Sequence, residues 1–248
     1  GTMAALATTL RNGFFHAGTF SSFRGRRHGR PLDTTLIPAT RLLAYTCTHD
    51  QIGNRAVGDR PSQNLDFGQL AIKAALVLES PYTAMLFMGE EWGSTRPFQF
   101  FSSHPEPELA RATAEGRKAE FAEHGWDADS VPDPQDPATF RRSKLDWAET
   151  GKPGHAELQD FYRTLIRLRR TEPDLADPWL PHLGVEFDEN RRWIVMRRGA
   201  VAIAANLGAE SVEVTVTGDL LARWGDPEVG AEATTLPPHT VVVLRRES

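Results

Sequence analysis

The sequence predicts an α/β chain in two parts, a parallel strand–helix–strand region and then a small antiparallel all-β domain. Two observations carry this. Short apolar runs at 42–47 and 83–88 flank a segment at 68–80 that is apolar nearly all round. Strands continuous in hydrophobicity and joined through a helix fit a parallel sheet covered on both faces. From about residue 183 the hydrophobic period changes to two, with β-rich runs at 192–197, 201–206, 211–217 and 240–245 between Gly, Asn and Pro turns.

Each element follows in order. Residues 3–12 (MAALATTLRN) have helical composition, and Gly13 is a plausible C-cap. Residues 14–40, rich in Gly, Arg, Thr and Pro with Phe14, Phe15, Phe20 and Phe23, read as a long loop, and such loops are usually functional. The run at 42–47 then empties into polar Thr48-His49-Asp50-Gln51, as a buried strand entering a loop does. Pro81 stops the helix at 68–80, and the second strand ends in Gly89-Glu90-Glu91-Trp92-Gly93. A charged helix is expected near 107–124, and a Pro/Asp-rich loop at 131–138. Residues 155–172 form an amphipathic helix with Leu158, Phe161, Tyr162, Leu165, Ile166 and Leu168 on one broad face. Pro173, Pro178 and Pro181 mark a boundary, dividing residues 1–178 from an all-β domain at 179–248.

Composition narrows the function classes. With 248 residues, 40% hydrophobic and 25% charged, the chain can bury a sizeable core. Its net charge of −5 argues against a nucleic-acid partner, which would need a surplus of Lys and Arg. Residues 1–60 carry eight Arg against three Asp and no Glu, about +5, leaving the remainder near −10. Arg24, Arg26, Arg27 and Arg30 around His28 read as a solvated basic loop. The single cysteine, Cys47, cannot form an internal disulfide, which fits a reducing, cytoplasmic setting. No run approaches the ~20 apolar residues of a membrane span, and the start at Gly1 lacks the pattern of a signal peptide.

In parallel α/β folds the active site forms at the carboxy-terminal ends of the strands. His49-Asp50 and Glu90-Glu91-Trp92 occupy two such ends. His-Asp alone is a weak signal, because an Asp after a strand also caps turns. The surrounding motifs are more specific. Thr48-His49-Asp50-Gln51-Ile52-Gly53-Asn54-Arg55, an apolar helix, and then Pro81-Tyr82-Thr83-Ala84-Met85-Leu86-Phe87-Met88-Gly89-Glu90-Glu91-Trp92-Gly93 closely resemble the seventh and eighth strands of the α-amylase family. Phe20-Ser21-Ser22-Phe23-Arg24 with His28-Gly29, Pro97-Phe98-Gln99-Phe100-Phe101, and Asp133-Pro134-Gln135-Asp136 leading to Ser143-Lys144-Leu145 are similar to its maltooligosyltrehalose trehalohydrolase branch.

That resemblance implies the C-terminal part of a (β/α)8 TIM barrel followed by a small antiparallel β-sandwich. It implies a retaining hydrolysis of maltooligosyltrehalose, an α-glucan oligosaccharide, in which an Asp nucleophile, a Glu acid and a further Asp share the work. Asp50 matches the third carboxylate, the transition-state stabiliser. His49 is expected to donate to the same sugar, and Gln51, Ile52, Gly53, Asn54 and Arg55 to line or shape the loop beneath. Gly53 reads equally as a turn glycine, and Arg55 as half of a structural ion pair. Phe23, in a polar loop, is a candidate for stacking on glucose, since sugar C–H faces pack on aromatic rings. Trp92, Phe98, Phe100 and Phe101 divide between stacking and core. Glu90 and Glu91 read as rim or structural carboxylates, and Asp133 and Asp136 as loop residues, not metal ligands. No cofactor or metal is expected.

In the family the nucleophile and the acid precede the His-Asp motif. Here the first Glu is Glu79 and the only Asp before Asp50 is Asp33, in a Pro/Thr loop. The expectation is therefore a fragment whose partner is the N-terminal half of the same enzyme, inactive alone. A glycogen branching or debranching enzyme is the sister reading, and a non-catalytic carbohydrate-binding remnant is the reading from another class.

Overall fold

The computed structural model describes residues 1–123, 125 and 130–246. The chain divides into two compact units that alternate along the sequence. One comprises Gly1–Thr46, Gly68–Met85 and Leu158–Ser248, and the other Cys47–Phe67 and Leu86–Glu157.

The first unit opens on helix α1 (Met3–Asn12). Thr2 starts it by accepting from the Ala5 amide at 3.0 Å, while the Glu189 carboxylate takes the Met3 and Ala4 amides at 3.1 and 3.0 Å. These are the amide donors that a helix start leaves open. Gly13 ends the helix at φ +85°, as expected, and a Cβ there would lie 2.5 Å from the Leu42 side chain. The segment 14–40, expected as a loop, contains an antiparallel hairpin of β1 (Thr19–Ser21) and β2 (Arg26–His28). Strands of three mostly polar residues carry no hydrophobic period, so the sequence does not announce them.

Strands β3 (Leu43–Ala44) and β4 (Thr83–Ala84) pair in parallel, with Leu43 opposite Thr83 and Ala44 opposite Ala84. Between them in sequence lie helices α2 (His49–Gly53) and α3 (Phe67–Leu78). The parallel pairing matches expectation. The expected length and burial do not: each strand is two residues long, and Leu43 and Tyr45 are 59% and 44% exposed. A strand buried on both faces needs flanking strands and covering helices, and among the described residues this sheet has two strands only.

Among the described residues the α-helices α4 (Pro107–Glu123), α5 (Pro137–Arg142) and α6 (His155–Thr171) follow, then the single turn α7 (Pro173–Ala176). Residue 124, the expected end of the charged helix, lies outside the described residues. Helix α6 buries Leu158, Phe161, Tyr162, Leu165 and Leu168, while Ile166, expected on the same face, is 39% exposed. From the last turns of α6, Arg169 donates to the carbonyls of Leu78, Ser80 and Tyr82. Arg198 donates to the Glu79 carbonyl at 3.0 Å and to the Asp177 carbonyl. The two guanidiniums thus satisfy backbone acceptors where α3 gives way to β4. Near them the fully buried Glu79 carboxylate has no hydrogen-bond partner among the described residues. Burial pushes its pKa up to about 8, against the pull of Arg169 and Arg198.

The chain then becomes β-rich and antiparallel. A five-stranded sheet runs β5 (Leu183–Asp188), β6 (Trp193–Arg198), β7 (Val201–Asn206), β12 (Val241–Arg245), β9 (Asp219–Trp224). A three-stranded sheet runs β10 (Glu228–Val229), β11 (Thr234–Leu236), β8 (Val212–Val214). Alternate residues of both, among them Ala202, Ala204, Val242 and Leu244 from one and Val212, Val214 and Leu236 from the other, form one buried cluster. That two-residue spacing is the strand signature visible in the sequence. No helix among the described residues is long and apolar enough to cross a membrane.

Candidate active site

His49 and Asp50 do not sit on a loop. They form the first turn of α2, which Thr48 starts. The Thr48 hydroxyl accepts from the Asp50 amide at 3.1 Å, and Gln51 Oε1 accepts from the Thr48 amide at 2.7 Å and its hydroxyl at 2.8 Å. This reciprocal cap requires Thr followed three residues later by Gln or Glu, so Thr48-His49-Asp50-Gln51 carries a helix-start signal that a strand-to-loop reading overlooks. The cap turns His49 and Asp50 outward. Their side chains are 69% and 68% exposed, with His49 Nε2 3.4 Å from Asp50 Oδ1. An open imidazole–carboxylate pair of this kind can donate to and accept from neighbouring sugar hydroxyls.

The other residues of the motif lie beneath that pair. Gln51 is engaged in the cap, and Ile52 is 1% exposed, so its side chain packs inward. Gly53 is helical, and a Cβ there would meet the Phe98 ring at an ordinary 3.8 Å. Gly58 is the constrained glycine: at φ +67°, a Cβ would lie 2.5 Å from the Phe98 carbonyl oxygen. Asn54 ends the helix, its amide donating back to the Asp50 carbonyl at 3.1 Å. Arg55 reaches Asp59 at 2.7 Å, which makes it half of a structural ion pair. The hydrogen bond from Arg55 holds Asp59 below the usual carboxylate range, although burial opposes it.

The segment 87–96 is braced from two sides by residues that sequence reasoning did not single out. Arg60, 2% exposed, donates through Nε to the Arg96 carbonyl at 2.5 Å and through Nη1 to the Met88 carbonyl at 2.8 Å. Its guanidinium also lies 5.1 Å from the Phe87 ring centroid. Burial lowers its pKa, and Cys47, Glu149, Glu91 and Glu90 pull the other way. On the other side the buried Glu149 carboxylate accepts from Trp92 Nε1 at 3.3 Å, Ser94 Oγ at 2.8 Å, the Thr95 amide at 3.2 Å and the Thr95 hydroxyl. Burial pushes Glu149 upward, but the hydrogen bonds from Thr95, Ser94 and Trp92 win and hold it below its usual value. A buried charge is tolerable only when satisfied in this way. No local pattern marks Glu149, because its partners are 54 or more residues away.

Trp92, expected among the stacking candidates, is fully buried beside Trp147, so it is a core residue. The ring of Phe98 meets Phe87 and Phe101 edge-on at 5.1 and 5.8 Å, while Phe100 and Phe101 stay 41% and 36% exposed. Glu90 accepts from the Phe87 amide at 3.1 Å and from the Cys47 thiol at 3.5 Å, a bracing arrangement. Asp133 accepts from the Gln135 amide at 2.9 Å, and Asp136 caps α5 through the Ala138 amide at 2.8 Å. In the first unit, Phe23 is 94% exposed at the turn between β1 and β2.

Known proteins resemble this arrangement. The chain superposes on a candidate alpha amylase from Salmonella typhimurium with TM-score 0.84 and 32% identity, over 98% of this chain and 41% of that one. With an α-amylase from H.orenii the TM-score is 0.51 at 19% identity, over 98% and 47% of the two chains, a likeness of fold alone. Both neighbours are of the α-amylase type, and this chain resembles them in its mixed helix–strand region followed by a β-rich carboxy-terminal part. Residues 178–243 match the family described as Domain of unknown function (DUF3459). Over 99% of its length the chain is 67% identical to a malto-oligosyltrehalose trehalohydrolase of Mycobacterium tuberculosis, and over 98% it is 51% identical to that of Rhizobium sp. (strain M-11). By sequence it is similar to a carboxy-terminal portion of these malto-oligosyltrehalose trehalohydrolases, spanning about two fifths of the length of the relatives it matches.

Proposed function

We propose that residues 1–248 are part of a retaining glycoside hydrolase that releases trehalose from maltooligosyltrehalose by cleaving the α-1,4 bond next to the trehalose end. The single observation that carries this is 67% identity over 99% of the chain to a protein of that name. On this reading residues 1–178 complete the carboxy-terminal side of a (β/α)8 barrel, and residues 179–248 form a β-sandwich. The nucleophile and the acid come from the N-terminal half of the same enzyme. Asp50 hydrogen-bonds the hydroxyls of the reacting glucose and stabilises the positive charge that develops in the oxocarbenium-like state. His49 donates to the same sugar. Gln51, Ile52, Gly53, Asn54 and Arg55 hold the pair from beneath, and Phe23 stacks on a glucose ring. The exposure of His49 and Asp50 supports this division of labour. The reaction calls for no cofactor, metal, nucleic acid or membrane, and a cytoplasmic setting suits it.

The test is trehalose release by the full-length enzyme. Asp50→Asn keeps size and shape and removes the charge, so turnover should fall at least ~10²-fold with the fold intact, the scale for one preorganised electrostatic group. Near-normal turnover in that variant would overturn the reading.

A further inference from the structure

Helix α4 is 17 residues long, and Phe121 is its one buried hydrophobic residue, so no broad apolar face holds it. What it buries is a narrow stripe, Arg117 and Phe121, four residues apart and hence on one face. Phe121 packs with Ala56 and Val131. The Arg117 side chain is 9% exposed and lies between two rings, 4.7 Å from the Phe100 centroid and 4.6 Å from that of Phe121. From there it donates to the Gly53 carbonyl and, at 3.4 Å, to Asn54 Oδ1. The Gly53 carbonyl is one of those that the end of α2 leaves without a helical N–H to accept. Glu120 lies 3.6 Å from the guanidinium.

We propose that Arg117 is a positioning residue for the reaction, fixing the far end of the helix whose first turn carries His49 and Asp50. The inference rests on the function proposed above. Helix α2 is only five residues long, too short to be stable by itself, so its direction must be imposed from both ends. Thr48 and Gln51 impose it at the start, and Arg117 at the end. A planar guanidinium suits the task because it can stack between rings while its N–H groups reach a carbonyl and an amide oxygen in one plane. Burial lowers the Arg117 pKa, with Glu120 opposing the shift, and the group stays cationic at neutral pH.

A double-mutant cycle in the full-length enzyme, read as trehalose release, tests this. Arg117→Met keeps the aliphatic stem and removes both donors. Its kcat should fall about 10- to 100-fold, the scale on which misplacing a catalytic group acts, with KM little changed. Arg117→Lys, which retains a cation and one donor, should recover part of the loss. In an Asp50→Asn background Arg117→Met should cost clearly less, because Asp50 has lost its charge and only the placement of His49 remains to be disturbed. An undiminished kcat in Arg117→Met, or the same fold-loss in both backgrounds, would overturn the inference. Wild-type turnover in Asp50→Asn would instead overturn the functional reading. Should Arg117→Met fail to fold, the cycle with Arg117→Lys separates the same outcomes.

Discussion

At the scale of single residues, the buried carboxylates of Glu149 and Glu79 differ in how they are satisfied. Glu149 accepts four hydrogen bonds and is held ionised, whereas the buried Glu79 carboxylate accepts none from the described residues. Its folded pKa is about 8 against an ordinary 4.5, with desolvation the largest cause. Between those values the folded state holds a proton that the unfolded chain has lost, so stability falls as pH rises from about 4.5 to about 8 and then levels off. Glu79→Gln should remove that slope. Melting temperatures measured from pH 5 to pH 9 check it, and an unchanged slope in the variant would show that Glu79 is not the titrating group. Neither residue stood out in the sequence, because burial and missing partners are properties of the folded neighbourhood.

At the scale of elements, what could be read in advance followed from how local its cause is. Helix α1 was legible with its Gly13 cap because every cue lies within 13 residues. Strands β6, β7, β8 and β12 were legible because a period of two needs only a few residues to appear. Helix α2 escaped although its capping pair was in plain view, since an apolar run before it suggested a strand end. The β1–β2 hairpin was invisible for want of a period, and β5, β9, β10 and β11 were not singled out. Of the expected site, His49 and Asp50 emerge exposed, Ile52 and Trp92 are core, and Arg117, Arg60 and Glu149 act over distances in sequence that no motif spans. Two substitutions probe the elements directly. Gly58→Ala should lower the melting temperature by several degrees, because at φ +67° the new Cβ meets the Phe98 carbonyl oxygen at 2.5 Å. Equal melting temperatures for Gly58→Ala and Gly53→Ala would contradict this. Phe23→Ala, at the tip of the β1–β2 hairpin, should leave the melting temperature unchanged because the ring is 94% exposed. In the full-length enzyme it should raise KM if the ring meets glucose, and unchanged kinetics would remove Phe23 from the site.

At the scale of the whole molecule, the β-rich part has a core of its own, while β3 and β4 form a two-stranded parallel sheet with Leu43 and Tyr45 exposed. Backbone edges and apolar side chains left open in this way invite pairing with other chains. On the proposed reading residues 1–248 supply Asp50 but neither nucleophile nor acid. Purified 1–248 should therefore release no trehalose above background and should tend to aggregate, and adding the N-terminal half in trans should restore activity. Robust release by 1–248 that disappears in Asp50→Asn would show that a complete site lies within these residues.

The three carbonyls that Arg169 collects have a consequence for how the chain is made. Leu78, Ser80 and Tyr82 precede Arg169 by 91, 89 and 87 residues. A ribosome adding roughly 5–20 residues per second delivers that guanidinium several seconds after the turn it will hold. Until then those oxygens are left to water. The unit containing Asp50 has all of its residues by Glu157, whereas the unit containing α3 and β4 waits for the last strand, β12. Within residues 1–248, the interrupted unit, whose first segment is made before the other unit, is thus completed after it.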